Sequence, residues 1–250
     1  MTVWVYTFVS VTIVSLVSLI GFFTLSVKTK RLKTLILALV SFAVGGLFGD
    51  ALIHLIPESF EQLGSGPLTS LFIMGGLLLF FSLEKFLRWQ HCHIPTSDDH
   101  IHPVATLNMV GDAVHNFMDG IIIAVGFLTS IPIGMATTLA VLFHEIPQEI
   151  GDLGILIHKG LSVQKALMLN FFSALTAFAG AITALMIGPH VVDFTAYCLP
   201  ITAGGFLYIA GSDLIPELHH GEDGRLSTSV KQLGFIMAGV GVMVILAFME

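Results

Sequence analysis

Two stretches of the chain combine imidazole, carboxylate and amide side chains at helical spacing. The first carries Asn108, Asp112, His115, Asn116 and Asp119, and the second carries His144, Glu145, Gln148, Glu149 and Asp152. At about 100° per residue, the first set covers an arc of roughly 100° on a helix and the second an arc of roughly 140°. Imidazole with carboxylate suits zinc and other first-row divalent metals better than magnesium or calcium. The spacing therefore predicts two polar helix faces that bind a divalent cation.

Two further stretches carry groups of the same kind. Asp50, His54 and Glu58 follow one another at intervals of four residues, and Asp213 and Glu217 share that interval. All four stretches lie in long apolar runs that contain no Lys or Arg. An acid at the centre of a bilayer costs about 2.5–3.5 kcal/mol on insertion scales, so such groups indicate function. A polar network that only holds helices together is the alternative interpretation.

The elements that carry these faces are apolar and long. The chain has 250 residues, of which 55% are hydrophobic and 11% charged, whereas a soluble domain has about 25% charged residues. A bilayer-spanning helix needs roughly 20 apolar residues. The sequence contains eight such runs, here numbered segments one to eight, at residues 3–27, 34–57, 68–87, 104–128, 132–157, 165–188, 195–218 and 230–249. We expect an all-α integral membrane protein with eight transmembrane helices, forming a single domain over residues 1–250.

Composition excludes other classes of protein. The net charge of -7 leaves no basic patch for nucleic acid, and two Cys are too few for a disulfide-framed domain. The ten Lys and Arg residues lie between segments one and two, after segment three, between five and six, and between seven and eight. Because cytoplasmic loops are rich in Lys and Arg, we expect both termini to lie outside. Short loops favour a bacterial inner membrane, with an endomembrane as the alternative for a eukaryotic chain.

Two pairs of sequence matches indicate an internal repeat. Leu-Ile-Pro-Glu occurs at residues 55–58 and again at 214–217, and HNFMD at 115–119 parallels HEIPQ at 144–148. Each pair joins segments that would cross the membrane in opposite directions. Inverted repeats with polar, interrupted helices near the midplane are typical of transporters. We predict that segments one to three are related to six to eight, and segment four to segment five, by an inverted repeat.

These motifs together resemble a known family. HNFMDG at 115–120 followed by HEIPQEIGD at 144–152 resembles the paired signature of the ZIP (Zrt/Irt-like) divalent-metal transporters, and is closest to the subfamily whose fifth helix reads HExPHExGD. GDALIHLIPE at 49–58 and SDLIPELHH at 212–220 resemble that family's second and seventh helices. The resemblance implies import of divalent metal into the cytoplasm. Zn²⁺ is the expected substrate, and Fe²⁺, Mn²⁺ and Cd²⁺ are further candidates.

The resemblance also implies a metal site between segments four and five. Carried over position by position, the ligands are His115, Asn116, Asp119, His144, Glu145 and Gln148, with His54 from segment two. Asp50 and Glu58 would mark the outer approach, and the pathway candidates also include Asp112, Glu149, Asp152, Asp213 and Glu217. Gln148 stands where the subfamily has His. An amide oxygen is a harder ligand than imidazole, so the metal selectivity and the number of bound ions stay open.

The connection at residues 89–103 is rich in His. Together with a pair after segment seven, the candidates for loose metal binding on the cytoplasmic side are His91, His93, His100, His102, His219 and His220. A plain solvated loop is the equal alternative.

Two other functions use the same residues. His144 and Glu145 begin an HExxH-like string, which is typical of zinc proteases, so an intramembrane zinc protease is the rival interpretation. Gln148 replaces the second His of that string, and we expect no enzymatic activity. A metal exporter would use the same ligands as an importer. Small residues at Gly234, Ala238 and Gly241 permit a homodimer, although packing within one chain explains them as well.

Overall fold

The computed structural model describes residues 2–20, 29–89, 103–158, 161–220 and 226–248. Regular structure in these ranges is helical throughout, with no β-strand among the described residues. The α-helices are Thr2–Val17, Thr29–Gly49, Ile56–Leu63, Pro67–Trp89, Pro103–Thr129, Ile131–His158, Val163–Ala174, Thr176–Ile187, Phe194–Tyr208, Ile215–His220 and Leu226–Ala247. Every predicted segment therefore contains helix, and segment six consists of two helices that meet at Leu175.

Six helical stretches in the described part of the chain are long and apolar enough to cross a membrane. They are Thr34–Leu63, Pro67–Lys85, Met109–Thr129, Val163–His190, Phe194–Ser212 and Thr228–Ala247. Segment one is a shorter apolar helix, Thr2–Val17. Segment five, Ile131–His158, is long but carries three acids in its second half. The structure thus confirms an all-helical, multi-pass membrane protein.

Local sequence signals keep two of the connections short. Gly64 ends the helix Ile56–Leu63 with φ at +83°, a conformation that favours glycine. Pro67 begins the next helix, where its missing N–H costs nothing. Ser130 caps segment five by accepting a hydrogen bond from the Ile133 N–H at 3.2 Å. Segments four and five are therefore joined by a tight turn that sets them side by side.

Segments two and seven each contain a π-helical stretch, Asp50–Leu55 and Ile209–Leu214. In both, the residue that follows donates a backbone hydrogen bond to the carbonyl five residues earlier. A Pro comes next in each case, and Pro has no N–H to continue the ordinary helical pattern. The two stretches are separated by the same number of residues as the two Leu-Ile-Pro-Glu sequences. Neither hydropathy nor helical spacing in the sequence predicts these π-helical stretches.

Glycines allow two pairs of outer segments to touch backbone to backbone. A Cβ placed on Gly45 would lie 2.0 Å from the carbonyl oxygen of Ile236, in segment eight. A Cβ placed on Gly204 would lie 1.9 Å from the carbonyl oxygen of Ile73, in segment three. Only glycine fits such contacts, and small residues are typical of close helix packing in membranes. Gly45 and Gly204 are separated by the same number of residues as the starts of the two π-helical stretches, Asp50 and Ile209.

A third glycine contact joins segments four and six. A Cβ on Gly120 would lie 1.9 Å from the Ala177 carbonyl oxygen, and one on Gly180 would lie 1.9 Å from the Phe117 carbonyl oxygen. The contact is therefore reciprocal, and it holds the two helices in one axial register. Segment four packs against segment five as well, and segment five against segments one and two. The polar faces of segments four and five consequently lie inside the helical bundle.

Candidate metal centre

Four side chains of segments four and five converge inside the bundle, and we call them the metal centre. His115, Asp119, His144 and Glu145 each offer one ligand atom, and these four atoms lie within 4.8 Å of one another. His115 Nε2 lies 3.2 Å from His144 Nε2 and 3.4 Å from Glu145 Oε1, and His144 Nε2 lies 3.4 Å from Asp119 Oδ2. Ligands at about 2.0–2.2 Å from one tetrahedral ion lie roughly 3.3–3.6 Å apart. These three separations are close to that size, and the remaining two between His and carboxylate are 3.7 Å.

The backbone orients His144 toward the metal centre. Its Nδ1 lies 3.1 Å from the carbonyl oxygen of Ala140, one turn earlier. Because a carbonyl oxygen only accepts, Nδ1–H is the donor, and Nε2 keeps its lone pair for a metal. The His144 ring also packs edge-on against Phe206, with the ring centroids 6.5 Å apart. Segment seven therefore contacts the His144 imidazole through Phe206.

Among the described residues, no Lys or Arg pairs with the carboxylates of the metal centre. Asp119, His144 and Glu145 are fully buried, whereas the His115 side chain is 19% exposed. None of the four carboxylate oxygens of Asp119 and Glu145 receives a hydrogen bond from the described residues. The imidazoles of His115 and His144 approach these oxygens to 3.4 Å, but buried carboxylates without a permanently cationic partner are costly. A divalent cation between them would offset this cost, so the donor set fits a metal such as zinc.

The two amide candidates lie on the same helices as the metal centre. The buried Asn116 donates through Nδ2 to Asp112, at 2.9 Å to Oδ1 and 3.1 Å to the backbone carbonyl. Its Oδ1 has no hydrogen-bond partner among the described residues, so this oxygen remains available as a ligand. Gln148 is half-buried one turn after His144. Ligand roles for both amides stay predictions.

His54 is not one of the four residues of the metal centre. His54 is buried, and its Nε2 lies 3.0 Å from the carbonyl oxygen of Met243, in segment eight. Asp50 is fully buried in the same π-helical stretch. Glu58 is half-buried and accepts a hydrogen bond from Gln62 Nε2 at 2.7 Å. The contribution of His54, Asp50 and Glu58 to metal binding or to the outer approach stays a prediction.

A second polar group, here called the oxygen network, joins segments four, five and six. The Asp112 carboxylate accepts a hydrogen bond from Ser173 Oγ, and the Glu149 carboxylate accepts one from Asn170 Nδ2. All four residues are buried. Asn170 and Ser173 are three residues apart, which places both on one helix face. Asp152 is half-buried nearby on segment five.

Segment three holds an acid that sequence analysis missed. Tyr208 Oη donates a hydrogen bond to Glu84 Oε2. Tyr208 is the residue directly before the π-helical stretch of segment seven. This contact ties segments three and seven together at a second point besides the glycine contact.

Several predicted residues lie outside the described part of the chain. They are His91, His93, His100 and His102, together with the side chains of Asp213, Glu217 and His220. His219 is described, and it is exposed at the end of segment seven. The loop boundaries at 89–103 and the cytoplasmic metal loop stay predictions.

The fold and the metal centre define a class: a multi-pass helical membrane protein with a buried His and carboxylate group suited to divalent metals. The family profile described as ZIP Zinc transporter matches residues 1–107 and 90–247. "Zinc transporter zipt-7.1" of Caenorhabditis briggsae is 31% identical over 278 aligned positions, covering 85% of this chain and 71% of that protein. This chain belongs to the ZIP zinc transporter family.

Mammalian relatives show the same likeness. "Zinc transporter ZIP13" of Pongo abelii is 36% identical over 222 positions, covering 83% of this chain and 65% of that protein. "Zinc transporter SLC39A7" of Mus musculus is 29% identical over 342 positions, covering all of this chain and 71% of that protein. The alignment with the mouse protein has 342 positions, whereas this chain has 250 residues. The mouse protein therefore carries insertions relative to this chain.

Proposed function

We propose that this protein transports divalent metal ions, with Zn²⁺ as the substrate, through an intramembrane site formed by His115, Asp119, His144 and Glu145. The observation that carries the proposal is the convergence of these four ligand atoms within 4.8 Å in a largely buried position, where no Lys or Arg of the described ranges pairs with them. The relatives named above are called zinc transporters, which supports zinc as the transported ion. Metal ions would bind there by exchanging water for imidazole and carboxylate.

Transport by alternating access is the mechanism that we propose for this site. It rests on eight membrane-crossing segments in which one to three are related to six to eight, and four to five, by an inverted repeat. The π-helical stretches and the Gly45 and Gly204 contacts support the repeat, because each pair recurs at the same sequence spacing. Two related halves in opposite orientation can open a central site toward either side of the membrane.

Import is the direction that we propose, with both termini outside and a bacterial inner membrane as the location. The distribution of Lys and Arg supports the orientation, and only the family resemblance supports inward flux. Proteoliposomes with the protein in one determined orientation distinguish import from export. If zinc crosses only from the side of the membrane where the Lys- and Arg-containing loops lie, the protein is an exporter.

A homodimer stays a prediction, to be tested by the mass of the purified protein in detergent.

Zinc entry into proteoliposomes tests the proposal. We would compare the wild type with His144→Ala, using a trapped zinc indicator. His190→Ala is the matched control, because His190 is exposed at the end of segment six. Wild type and control should admit zinc, and His144→Ala should be at least about tenfold slower, since loss of a ligand weakens binding. Equal rates for all three proteins would contradict the site. The same assay with Fe²⁺, Mn²⁺ and Cd²⁺ ranks the other candidate substrates.

The rival interpretation as an intramembrane zinc protease has a separate test. A protease of the HExxH type holds zinc with two His on one helix and uses the intervening Glu as the base. Here Glu145 lies among the ligand atoms, beside His115 from segment four. We expect the purified, zinc-loaded protein to cleave neither unfolded soluble proteins nor membrane-protein substrates. Cleavage that is lost in Glu145→Ala would favour the protease.

A further inference from the structure

Segments three and seven touch backbone to backbone at one level of the bundle. A Cβ on Gly76 would lie 2.0 Å from the Ile201 carbonyl oxygen, and one on Gly204 would lie 1.9 Å from the Ile73 carbonyl oxygen. The contact is reciprocal, so it fixes the distance and the axial register of the two helices at that level. A single contact of this kind still lets the helices pivot about it. Their relative tilt therefore depends on a second point of contact.

That second point is the hydrogen bond that Tyr208 Oη donates to Glu84 Oε2. Tyr208 follows Gly204 by four residues, which corresponds to about 6 Å along a helix axis. The Tyr208 ring also packs edge-on against Phe81, with the ring centroids 6.3 Å apart. Tyr208 is 8% exposed, and a buried Tyr hydroxyl needs a hydrogen-bond partner. Tyr208 thus makes an apolar and a polar contact with segment three at one level.

Glu84 is the one acid in the helix Pro67–Trp89. The same helix exposes three Leu side chains at residues 77–79, which is typical of a helix in contact with lipid. A carboxylate in a membrane-spanning segment costs free energy, and such residues indicate a role. A Leu would fill the position without that cost, but it could not accept the hydrogen bond from Tyr208. The directional contact with segment seven is therefore what the acid contributes.

The opposite face of segment seven contacts the metal centre. Phe206 lies two residues before Tyr208, a rotation of about 200° on a helix, so the two side chains leave the helix on opposite sides. Phe206 is fully buried, and its ring lies edge-on to the His144 imidazole. The Ala140 carbonyl holds one nitrogen of that imidazole, and Phe206 packs against the ring. A change in the tilt of segment seven would move Phe206 relative to His144.

We propose that Glu84 and Tyr208 are positioning residues for the metal centre. Their hydrogen bond fixes the tilt of segment seven on segment three, and segment seven holds the Phe206 ring against His144. The proposal rests on the proposed function, because His144 is one of the metal ligands assigned there. Substituting a residue that directly orients a ligand changes metal affinity by about 10–100-fold. Glu84 and Tyr208 act through a further side chain, so the effect should be smaller.

The zinc affinity of Tyr208→Phe in detergent tests the proposal. This substitution removes only the hydroxyl, and competition with a chelating dye should show zinc binding that is about threefold to tenfold weaker. Tyr197→Phe is the matched control, because Tyr197 packs against Phe72 in the same pair of segments, with the ring centroids 5.2 Å apart. Its zinc affinity should equal that of the wild type. Wild-type affinity in Tyr208→Phe would overturn the proposal, whether or not its unfolding temperature falls.

Variants of Glu84 separate the hydrogen bond from the charge. Glu84→Gln keeps a side-chain oxygen that accepts from Tyr208, so zinc affinity should stay within about twofold of the wild type. Glu84→Leu removes the acceptor and should weaken zinc binding as much as Tyr208→Phe does. If Glu84→Gln instead behaves like Glu84→Leu, the negative charge of Glu84 is what matters, and the proposal is wrong.

A double substitution tests the route through Phe206. Phe206→Leu removes the aromatic ring from His144 and keeps an apolar side chain in the buried position. In that background, Tyr208→Phe should change zinc affinity by less than about twofold, because the two substitutions interrupt the same route. Losses that multiply would show that Tyr208 acts independently of Phe206, against the proposal.

The two proposals fail in different ways. If proteoliposomes admit no zinc, but zinc affinity in detergent depends on His144 and on the Tyr208 hydroxyl, the positioning role stands and the transport function falls. If zinc uptake depends on His144, but Tyr208→Phe binds zinc like the wild type, transport stands and the positioning role falls.

Discussion

The metal centre and the oxygen network bury similar charges in opposite ways. In the metal centre, the carboxylate oxygens of Asp119 and Glu145 receive no hydrogen bond from the described residues and face two imidazoles. In the oxygen network, Asp112 and Glu149 each accept a hydrogen bond from a neutral side chain of segment six. Neutral donors fix the direction of a carboxylate without offsetting its charge. The first arrangement leaves carboxylate oxygens that can coordinate an ion, whereas the second commits one oxygen of each carboxylate to a hydrogen bond.

The largest expected effect separates the two groups directly. Asp119→Asn and Asp112→Asn each remove one carboxylate charge without changing the size of the side chain. We expect Asp119→Asn to weaken zinc binding by about 100-fold or more, because it removes a direct ligand, and Asp112→Asn to weaken it by less than about fivefold. Zinc affinity measured by competition with a chelating dye checks this. Equal losses in the two variants would show that the groups form a single site.

A substitution between segments four and six should disturb both groups together. Gly120→Ala would place a Cβ 1.9 Å from the Ala177 carbonyl oxygen, so the two helices must move apart. We expect a loss of about 1–3 kcal/mol in stability, as for overpacking in a core, together with slower zinc uptake. Thermal unfolding in detergent measures the first effect.

Gly151→Ala is the control for this prediction. A Cβ there would have nothing within 4 Å, so its stability should equal that of the wild type or exceed it by up to about 1 kcal/mol, because Ala favours a helix over Gly. If Gly120→Ala unfolds at the wild-type temperature, the close contact does not hold the two groups in register.

A change of ligand type should sharpen the difference between the groups. Gln148→His would add an imidazole one turn after His144, and nitrogen ligands favour zinc over manganese. We expect the ratio of zinc to manganese uptake to rise by roughly threefold to tenfold. Gln164→His is the control, because Gln164 is exposed. A ratio that stays constant would indicate that residue 148 does not contact the transported ion.

The smallest expected effect concerns a single hydroxyl of the oxygen network. Ser173→Ala removes the donor to the Asp112 carboxylate. Loss of one hydrogen bond costs about 0.5–1.5 kcal/mol of stability, and we expect zinc uptake to stay within about twofold of the wild type. Uptake assays and thermal unfolding of the same preparation check both statements. A severe loss of uptake would mean that Ser173 acts on the ion itself.

Much of the fold was predictable because its signals are local. Hydropathy and helical spacing predicted helices within each segment, and the structure bears out the all-helical, multi-pass class. The π-helical stretches were not predicted, although Pro57 and Pro216 were visible. Whether a Pro produces a kink, a break or a π-helical stretch depends on the neighbouring helices that satisfy the freed backbone groups.

The candidate site was predictable in part for the same reason. His115 and Asp119 lie one turn apart on one helix, and His144 and Glu145 are neighbours on the next, so each helix alone indicates half of the metal centre. His54 had an equally favourable spacing on segment two. Its Nε2 lies 3.0 Å from the Met243 carbonyl of segment eight. The spacing within segment two could not predict this contact, because it depends on how segment eight packs.

The sequence by itself determined the kinds of ligand, their helical faces and the membrane class, because residue type, hydropathy and helical periodicity are properties of single segments. Only the tertiary structure decided that four of the polar side chains meet within 4.8 Å, while others join segment six or segment eight. That choice depends on the axial register and distance between helices. Contacts such as the one at Gly120 set both, since a backbone approach of this closeness allows one register and excludes its neighbours.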